Sequence, residues 1–364
     1  MKIAFGGDCA IVGDALSSES LEHIRISQYS NADKRIINLE QCISKKLPIS
    51  GKTTIYATPD CRERIQSLNA DYVTLANNHI HDCGDDGILD TLSCLNEWGI
   101  PFVGAGSNQQ EAGRCIEITD NLVMLAYCQY GTHYLRNVSC AEDNKPGVNG
   151  FSLEKVISDL DNLGDNDAIV SIHWAAEYVA LPPEEIISWA KKILEHPKCV
   201  LIIGHHPHIP LGKVCHNGKE AYISLGNLMF PNFFLNEHQE LCYPHVGDKY
   251  AETDMLMKVS CLTHKTWQKI NRRTMIVVFD TDTRSVVEVA FAQQKKYTPV
   301  TYELTGKELH GAKIRFELLS KLYALPKPIY AVASKLCMLT VYGVRKFKRL
   351  IFRSVGVNRK KTYK

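Results

Sequence analysis

The sequence predicts an α/β protein in which a layered β-sheet is flanked by helices. Short apolar runs recur along the first 230 residues, and each one ends in a polar or glycine-containing cluster. Helical patterns lie between several of these runs, so strands and helices are expected to alternate. This alternation favours a largely buried sheet covered by helices. At 364 residues, the chain is long enough for one large domain with an appendage.

Six apolar runs are predicted to be strands, because they are short, rich in β-branched residues and bounded by polar residues or glycine. In chain order they are KIAF (2–5), RIIN (35–38), DYVTLA (71–76), DAIVSI (167–172), CVLIIG (199–204) and EAYISLG (220–226). Each is followed by Asp, Glu, Asn or His. Ligands of open α/β sheets bind beyond the carboxyl ends of the strands, so the six ends together predict a functional site.

Two helices and a hairpin complete the predicted domain. The helical patterns are DDGILDTLSCLNEWG (85–99) and PEEIISWAKKILEHP (183–197), and the second begins with the proline and acids that suit a helix N-terminus. Alternation in residues 274–297 predicts a β-hairpin that turns at 280–284. The irregular segment 237–273 is predicted to be a lid or an insertion. We expect the domain to span residues 1–300.

The C-terminal segment 301–364 differs from the body in charge. It carries 15 Lys and Arg against 3 Asp and Glu, whereas residues 1–300 carry 27 against 37. Residues 314–325 are amphipathic at helical spacing, and the uncharged halves of 328–352 are too short to span a bilayer. A basic amphipathic helix on an anionic membrane surface and a docked helix with a solvated basic end are equally favoured. Without a recognised nucleic-acid module, no specific nucleic-acid contact is expected.

Cysteine usage predicts a reducing compartment. The 13 cysteines are scattered, form no CxxC pair and show no zinc-finger spacing. The start MKIAFGGDC lacks the charged beginning and long apolar core of a signal peptide. We therefore expect reduced thiols and a cytoplasmic protein, with the inner face of the membrane as the alternative location.

The polar residues at the strand ends suit a divalent metal. Carboxylates, imidazoles and an amide oxygen favour Mn, Fe or Zn over an all-oxygen Ca or Mg site. The strongest signal is His-His-Pro-His at 205–208, where an extended backbone would point His206 and His208 the same way. Structural alternatives exist elsewhere: Asp8 as a cap, Asn78 and His79 as turn formers, and His173 as a core residue.

Six motifs extend in order from Lys2 to about Phe230. They are GGDCAIVGD, NLEQCIS, TLANNHIHDCGDDGILDTLSCLNEWGIPFVGAG, SIHWAAEY, GHHPHIPLG and YISLGNLMF. These motifs resemble, in the same order, those of the bacterial capsule synthesis (CapA, poly-γ-glutamate biosynthesis) proteins, whose fold is similar to that of calcineurin-like metallophosphoesterases. The resemblance implies a metallophosphoesterase-like layered sheet and a role in capsule or exopolymer biosynthesis.

The resemblance also implies a set of metal ligands. These are Asp8, Glu40 as a carboxylate shared between two ions, Asn78, His173, His206 and His208, with His205 as an alternative to His206. A typical first motif of the metallophosphoesterases has a histidine two residues after the aspartate, and Ala10 stands at that position. Whether the site holds one ion or two therefore remains open.

Two residues are predicted to be catalytic and two to bind substrate. His79 is expected to act as a general acid or to meet the leaving group. Glu177 is expected either to handle protons or to orient His173. Asn77 and Asn227 are the predicted substrate contacts, although Asn227 could also be a turn residue.

Three functions fit these features. The first is a metal-dependent hydrolase or transferase of capsule or exopolymer synthesis. The second is a non-catalytic capsule-assembly factor that binds an anionic polymer or joins a capsule-synthesis complex. The third is a metal-dependent phosphodiesterase that acts on an unrelated small phosphoester.

Overall fold

The computed structural model describes residues 1–49, 53–132, 135, 137–235, 240–243, 255–258 and 263–354, with side chains omitted at 234–264 and from 344 onward. About half of segment 237–273 and all of 355–364 lie outside this description, so the lid or insertion stays a prediction. The strands up to residue 150 are β1 (Lys2–Cys9), β2 (Ile24–Arg25), β3 (Lys34–Leu39), β4 (Cys42–Ile43), β5 (Tyr56–Ala57), β6 (Tyr72–Thr74), β7 (Phe102–Val103), β8 (Ala105–Gly106), β9 (Ile116–Thr119), β10 (Leu122–Cys128) and β11 (Gly147–Val148).

The later strands are β12 (Asp167–His173), β13 (Cys199–His205), β14 (Lys213–His216), β15 (Lys219–Tyr222), β16 (Asn227–Met229), β17 (Phe233–Leu235), β18 (Glu240–Tyr243), β19 (Met255–Lys258), β20 (Thr263–Lys265), β21 (Arg273–Asp280), β22 (Ser285–Gln294) and β23 (Thr301–Glu303). The helices are α1 (Asp14–Ser17), α2 (Ser27–Ser30), α3 (Arg62–Gln66), α4 (Gly84–Glu97), α5 (Gln109–Ala112), α6 (Leu153–Asp161), α7 (Glu184–Glu195), α8 (Gly306–Tyr323) and α9 (Lys327–Ser354). Short 3-10 helices cover Pro59–Cys61 and Ile270–Arg272.

Two sheets form the α/β body. One has the strand order β2-β23-β22-β21-β1-β3-β6-β7, with β16 also paired to β1, and the other has the order β14-β15-β13-β12-β10-β9. Strands β1, β3 and β6 run parallel to one another, as do β10, β12 and β13. Each of the six predicted strands overlaps an observed strand, although the one predicted over 220–226 ends at Tyr222. The two predicted helices α4 and α7 and the β21–β22 hairpin are confirmed.

The six-stranded sheet separates two hydrophobic cores. Along β10, residues Leu122, Met124 and Ala126 belong to one core, while Val123 and Leu125 belong to the other. This is the two-residue period of a strand whose faces are both covered. The first core fills the space between the two sheets and also covers the other face of the larger sheet, since it contains consecutive residues of β1 and β3. The second core lies under helices α6 and α7.

The C-terminal segment packs on the body. Strand β23 pairs with β22, and α8 contributes Phe316 to the first core and Leu319 to the second. In α9, Tyr330 and Ser334 are buried, and Tyr330 belongs to the second core. Among the described residues, none of the helices is both long and apolar enough to cross a membrane. The boundary expected at residue 300 stays a prediction.

Candidate metal centre

Strand register gathers the polar strand ends in one place. Asp8 on β1 is paired with Asn38 on β3 and with Asn227 on β16. In the second sheet, His173 on β12 is paired with His205 on β13. The two sheets thus bring their carboxyl ends together, and all six predicted metal ligands lie at this junction. Asn78 is half-buried, and the other five are buried.

Glu40 lies at the centre of the cluster. Its Oε1 is 3.6 Å from Nε2 of His208, 3.7 Å from Nε2 of His173 and 3.9 Å from Nε2 of His79. The Glu40 amide donates to the Cys9 carbonyl at 2.8 Å, which fixes the residue just beyond β3 against β1. A carboxylate oxygen facing three imidazole nitrogens, all buried, is the arrangement that a cation would satisfy.

Asp8 is held by neighbours on both sheets. Its Oδ1 accepts from Asn38 Nδ2 at 2.9 Å and lies 3.0 Å from His205 Nδ1, and its Oδ2 accepts from the His206 amide at 3.2 Å. Burial alone would raise the pKa of Asp8, but the His205 hydrogen bond and the nearby His205 and His208 charges outweigh it. The net pKa lies below the ordinary value, so the Asp8 carboxylate is anionic at neutral pH.

Among the described residues, neither ring nitrogen of His206 has a hydrogen-bond partner, although the residue is fully buried. An unsatisfied buried polar group costs about 1–3 kcal/mol, so such a ring is expected to have a function. Burial, partly offset by Glu177 and reinforced by His208, lowers the pKa of His206 to about 4. The imidazole is therefore neutral and able to bind a metal. His205, by contrast, is engaged by Asp8.

His173 and His208 are oriented by amides. Nε2 of His173 is 2.8 Å from Asn78 Oδ1, so the two predicted ligand atoms lie side by side. Nδ1 of His208 donates to Asn227 Oδ1 at 2.8 Å, which leaves Nε2 of His208 facing Glu40. An outer hydrogen bond of this kind commonly fixes a metal-binding histidine. Burial, followed by the neighbouring histidines, holds the pKa of His173 well below its usual value.

Three groups of residues among those described could hold a divalent ion. They are Asp8, Glu40 and His208; Glu40, His173 and His206; and Glu177, His206 and His208. Within each group the ligand atoms lie within 4.8 Å of one another. Glu40 belongs to two of these groups, which is the position expected of a carboxylate shared between two ions. His206 also belongs to two groups and His205 to none, so the geometry favours His206 as the ligand.

The backbone of His-Pro-His differs from the predicted extended form. His206 has φ 92° and His208 has φ 54°, so neither is extended and the expected extended conformation is wrong. The rings still converge, with centroids 5.9 Å apart. In the loop after β12, Ala175 and Tyr178 also have positive φ, of 64° and 65°. Four strained residues in two adjacent loops are typical of a functional site, where the surrounding fold enforces rare conformations.

Of the two predicted catalytic residues, His79 lies next to the ligand groups and Glu177 belongs to one of them. Nδ1 of His79 is 2.7 Å from Asp82 Oδ2, so the carboxylate orients the ring and Nε2 points toward Glu40. Glu177 is half-buried beside His206 and His208. Asp82 is itself fixed, because it also accepts a hydrogen bond from the Ile55 amide.

The two residues predicted to contact substrate are buried, and their side chains form hydrogen bonds within the protein. Asn77 donates to the Leu39 carbonyl at 2.9 Å and accepts from the His79 and Ile80 amides. Asn227 accepts from His208 and donates to the Asn271 carbonyl at 2.8 Å. These contacts favour roles in positioning the site, and substrate contact by either residue stays a prediction.

Three contributors were missed by the sequence analysis. Asn38 donates a hydrogen bond to Asp8. The two-residue period of a strand could have identified Asn38, because it stands two residues before Glu40. Trp267 packs on His208, with ring centroids 5.8 Å apart, and Asn271 donates to the His208 carbonyl at 3.3 Å. No motif marks Trp267 or Asn271, because they come from a distant segment.

The fold and the site define a class of protein: a metallophosphoesterase-like α/β protein with a buried histidine–carboxylate centre that could bind divalent metal. Residues 2–232 match the family model described as "Bacterial capsule synthesis protein PGA_cap". The chain belongs to this family.

Curated relatives agree with this assignment. The chain is 29% identical over 164 residues to "Capsule biosynthesis protein CapA" of Bacillus anthracis, which covers 43% of this chain and 39% of that protein. It is 29% identical over 169 residues to "PGA biosynthesis protein CapA" of Bacillus subtilis (strain 168), covering 46% and 44%. A "Probable polyglutamine synthesis accessory protein" of Mycobacterium tuberculosis is 24% identical over 222 residues, covering 57% and 58%. The chain spans about half the length of the curated relatives it matches.

Proposed function

We propose that this protein is a metal-dependent hydrolase or transferase of capsule or exopolymer biosynthesis, with poly-γ-glutamate or a polysaccharide as the polymer. The observation that carries the proposal is the unsatisfied, neutral imidazole of His206 beside Glu40. The names of the relatives support the biological setting. Free thiols at the 11 described cysteines are consistent with the predicted cytoplasmic location.

The ligands that we propose are Asp8, Glu40, Asn78, His173, His206 and His208, for one or two ions of Mn, Fe or Zn. Such an ion supplies Lewis acidity toward a substrate oxygen and lowers the pKa of water. The remaining chemistry belongs to the chain. His79, whose Nδ1 bonds to Asp82, presents Nε2 as the group that hydrogen-bonds to or protonates a leaving group, because the Asp82 carboxylate stabilises the imidazolium. Glu177 is proposed to take up or deliver protons at the half-buried side of the site.

Metal content tests this proposal. Purified protein, incubated with Mn, Fe or Zn and then desalted, should retain one or two ions per chain by elemental analysis. The variant His206→Asn should lose metal, since asparagine tolerates positive φ but cannot replace the imidazole. His216→Asn is the matched control, because His216 on β14 bonds to Glu195 and lies outside the three ligand groups. A wild-type protein that binds none of these ions would contradict the proposal.

A non-catalytic assembly factor that binds an anionic polymer is the second candidate. The observation that favours it is Ala10, which is fully buried and provides no ligand where a histidine is typical. One assay distinguishes the two functions. Metal-loaded protein is incubated with either γ-linked polyglutamate or a small phosphodiester, and both binding and bond cleavage are measured. Metal-dependent bond cleavage supports the enzyme, and polymer binding without cleavage supports the assembly factor. Cleavage of the small phosphodiester alone would indicate the unrelated phosphodiesterase.

A further inference from the structure

Helices α8 and α9 expose an unusual amount of apolar surface. Of the 13 large hydrophobic residues that are exposed in the described part of the chain, seven lie on these two helices. They are Ile314, Leu318, Leu322, Ile329, Val332, Leu336 and Leu339. Contiguous exposed apolar residues on a protein surface usually mark an interaction site.

The seven residues form one stripe on each helix. On α8 the spacing is four residues, and on α9 it is three or four, so each set lies along a single helical face. The sequence analysis predicted one amphipathic helix over residues 314–325, and the structure divides the apolar residues of this helix between two faces. Phe316 and Leu319 pack into the body, and Ile314, Leu318 and Leu322 are exposed.

Both stripes point away from the body, because both helices are anchored on their opposite faces to the same segment, 180–182. Tyr323 Oη donates to the Ala180 carbonyl at 2.9 Å, and Tyr330 Oη donates to the Pro182 carbonyl at 2.8 Å. The two tyrosine rings also pack edge to face, with centroids 5.9 Å apart. We call the seven exposed residues the C-terminal apolar face.

The exposed charges on these helices are mainly positive. Lys313, Lys321, Lys327 and Lys335 are exposed, and Glu317 is the one exposed acid among their described side chains. In the sequence, residues 344–364 carry nine Lys and Arg and no Asp or Glu. Apolar side chains flanked by lysines are typical of helices that lie in the plane of an anionic membrane. Pairing with a second copy through this face would instead bring like charges together, which is unfavourable.

We propose that the C-terminal apolar face docks on an anionic lipid surface, with α8 and α9 lying along it. The apolar residues enter the headgroup boundary and the lysines contact lipid phosphates. Helix α9 has 28 residues and would extend roughly 42 Å along the surface at 1.5 Å per residue. This inference is independent of the chemistry of the metal centre.

Vesicle flotation tests the proposal with the full chain. Vesicles of phosphatidylcholine alone are compared with vesicles that also contain phosphatidylglycerol. We expect binding to the anionic vesicles, little binding to the neutral ones, and loss of binding at high salt. The double variant Val332→Glu with Leu336→Glu should weaken binding by at least about tenfold. The matched control is Leu89→Glu with Val287→Glu, which adds the same charge at exposed residues of α4 and β22.

Circular dichroism and metal content of the variants verify that the body is intact. Equal binding by the wild type and the Val332→Glu, Leu336→Glu variant would overturn the proposal. So would the absence of binding to anionic vesicles. Self-association of the wild type that this variant abolishes, without vesicle binding, would assign the face to a second copy of the chain instead. Failure of metal binding in the wild type would overturn only the proposed function.

Discussion

At the residue scale, the site depends on keeping several histidines neutral inside a buried cluster. His173 and His206 are surrounded by other histidines and withdrawn from water, and both effects disfavour the imidazolium. Metal binding requires neutral imidazole. The buried environment is unfavourable for these polar rings when no ion is present, but it keeps the proposed ligands in the neutral form that binds an ion. Asp8 and Glu40 provide the negative charge that a bound ion would balance.

Acidification should therefore destabilise the metal-free protein. His206 has a pKa of about 4 in the folded protein, against 6.5 as its reference value. Between these values the unfolded chain binds a proton that the folded chain does not, so the free energy of unfolding falls as the pH is lowered. Urea unfolding of chelator-treated protein at several pH values measures this slope. The variant His206→Asn should have a shallower slope, and equal slopes in the two proteins would contradict the assignment.

His79 should depend on Asp82 for its activity. Asp82→Asn keeps the shape but removes the carboxylate that stabilises the His79 imidazolium, so turnover should fall about 10- to 100-fold with metal content unchanged. Asp85→Asn is a matched control, because Asp85 pairs with His81 at 3.0 Å in an exposed histidine–aspartate contact. Turnover and its pH profile are measured together. Loss of metal in Asp82→Asn would indicate a structural role instead.

At the element scale, the close approach of β1 to the segment before β16 positions Asp8. The Asp8 amide donates to the Gly226 carbonyl at 2.8 Å, and Asp8 is paired with Asn227. A side chain at Gly7 would overlap the Gly226 carbonyl oxygen. Glycine at position 7 therefore allows β1 to contact Gly226 and Asn227. This contact holds Asp8, and it also holds Asn227, the hydrogen-bond partner of His208.

Substitution of Gly7 should accordingly be costly. We expect Gly7→Ala to lower the free energy of unfolding by about 3 kcal/mol, because the overlap is with backbone and cannot be relieved by a side-chain movement. Gly311→Ala in α8 is the control: a Cβ there meets no atom within 4 Å, and the change should stabilise by about 0.5–1 kcal/mol. Urea unfolding measures both. A neutral Gly7→Ala would show that the two segments can separate without cost.

At the scale of the whole molecule, the C-terminal helices contribute to the stability of the body. Helix α8 reaches both cores, and Arg315 on α8 donates to the Pro210 carbonyl, two residues beyond His208. The same helices present the C-terminal apolar face to solvent. One face of helices α8 and α9 thus packs on the body, and the opposite face is available to dock on the membrane.

The two faces of α8 should differ in their effects on stability. Phe316→Ala removes a side chain that stacks on Tyr222 and contacts Phe291, and it should cost about 3–5 kcal/mol of unfolding free energy. Leu318→Ala, at an exposed site two residues away, should change it by less than about 0.5 kcal/mol. Denaturant midpoints provide the comparison. Equal losses would mean that the exposed stripe of α8 is also part of a packed interface.

Much of the fold was predictable because its signals are local. The strands were readable from short β-branched runs, and the helices from apolar periodicity and first-turn acids. The position of Asp8 or Glu40 relative to a strand is likewise a local property. The backbone of His206 and His208 was predicted wrongly, because its positive φ angles are imposed by contacts with Asp8 and Asn227 rather than by neighbouring residues.

The sequence by itself determined the α/β class, the strand ends that carry the proposed ligands, and the family. Only the tertiary structure decided which side chains meet. It grouped His206 rather than His205 with Glu40, recruited Asn38, Asn271 and Trp267, and divided the apolar residues of α8 between core and surface. The physical reason is that these choices depend on strand register and on packing between segments far apart in the chain, such as those of Asp8 and His205, which are 197 residues apart. No local pattern encodes either.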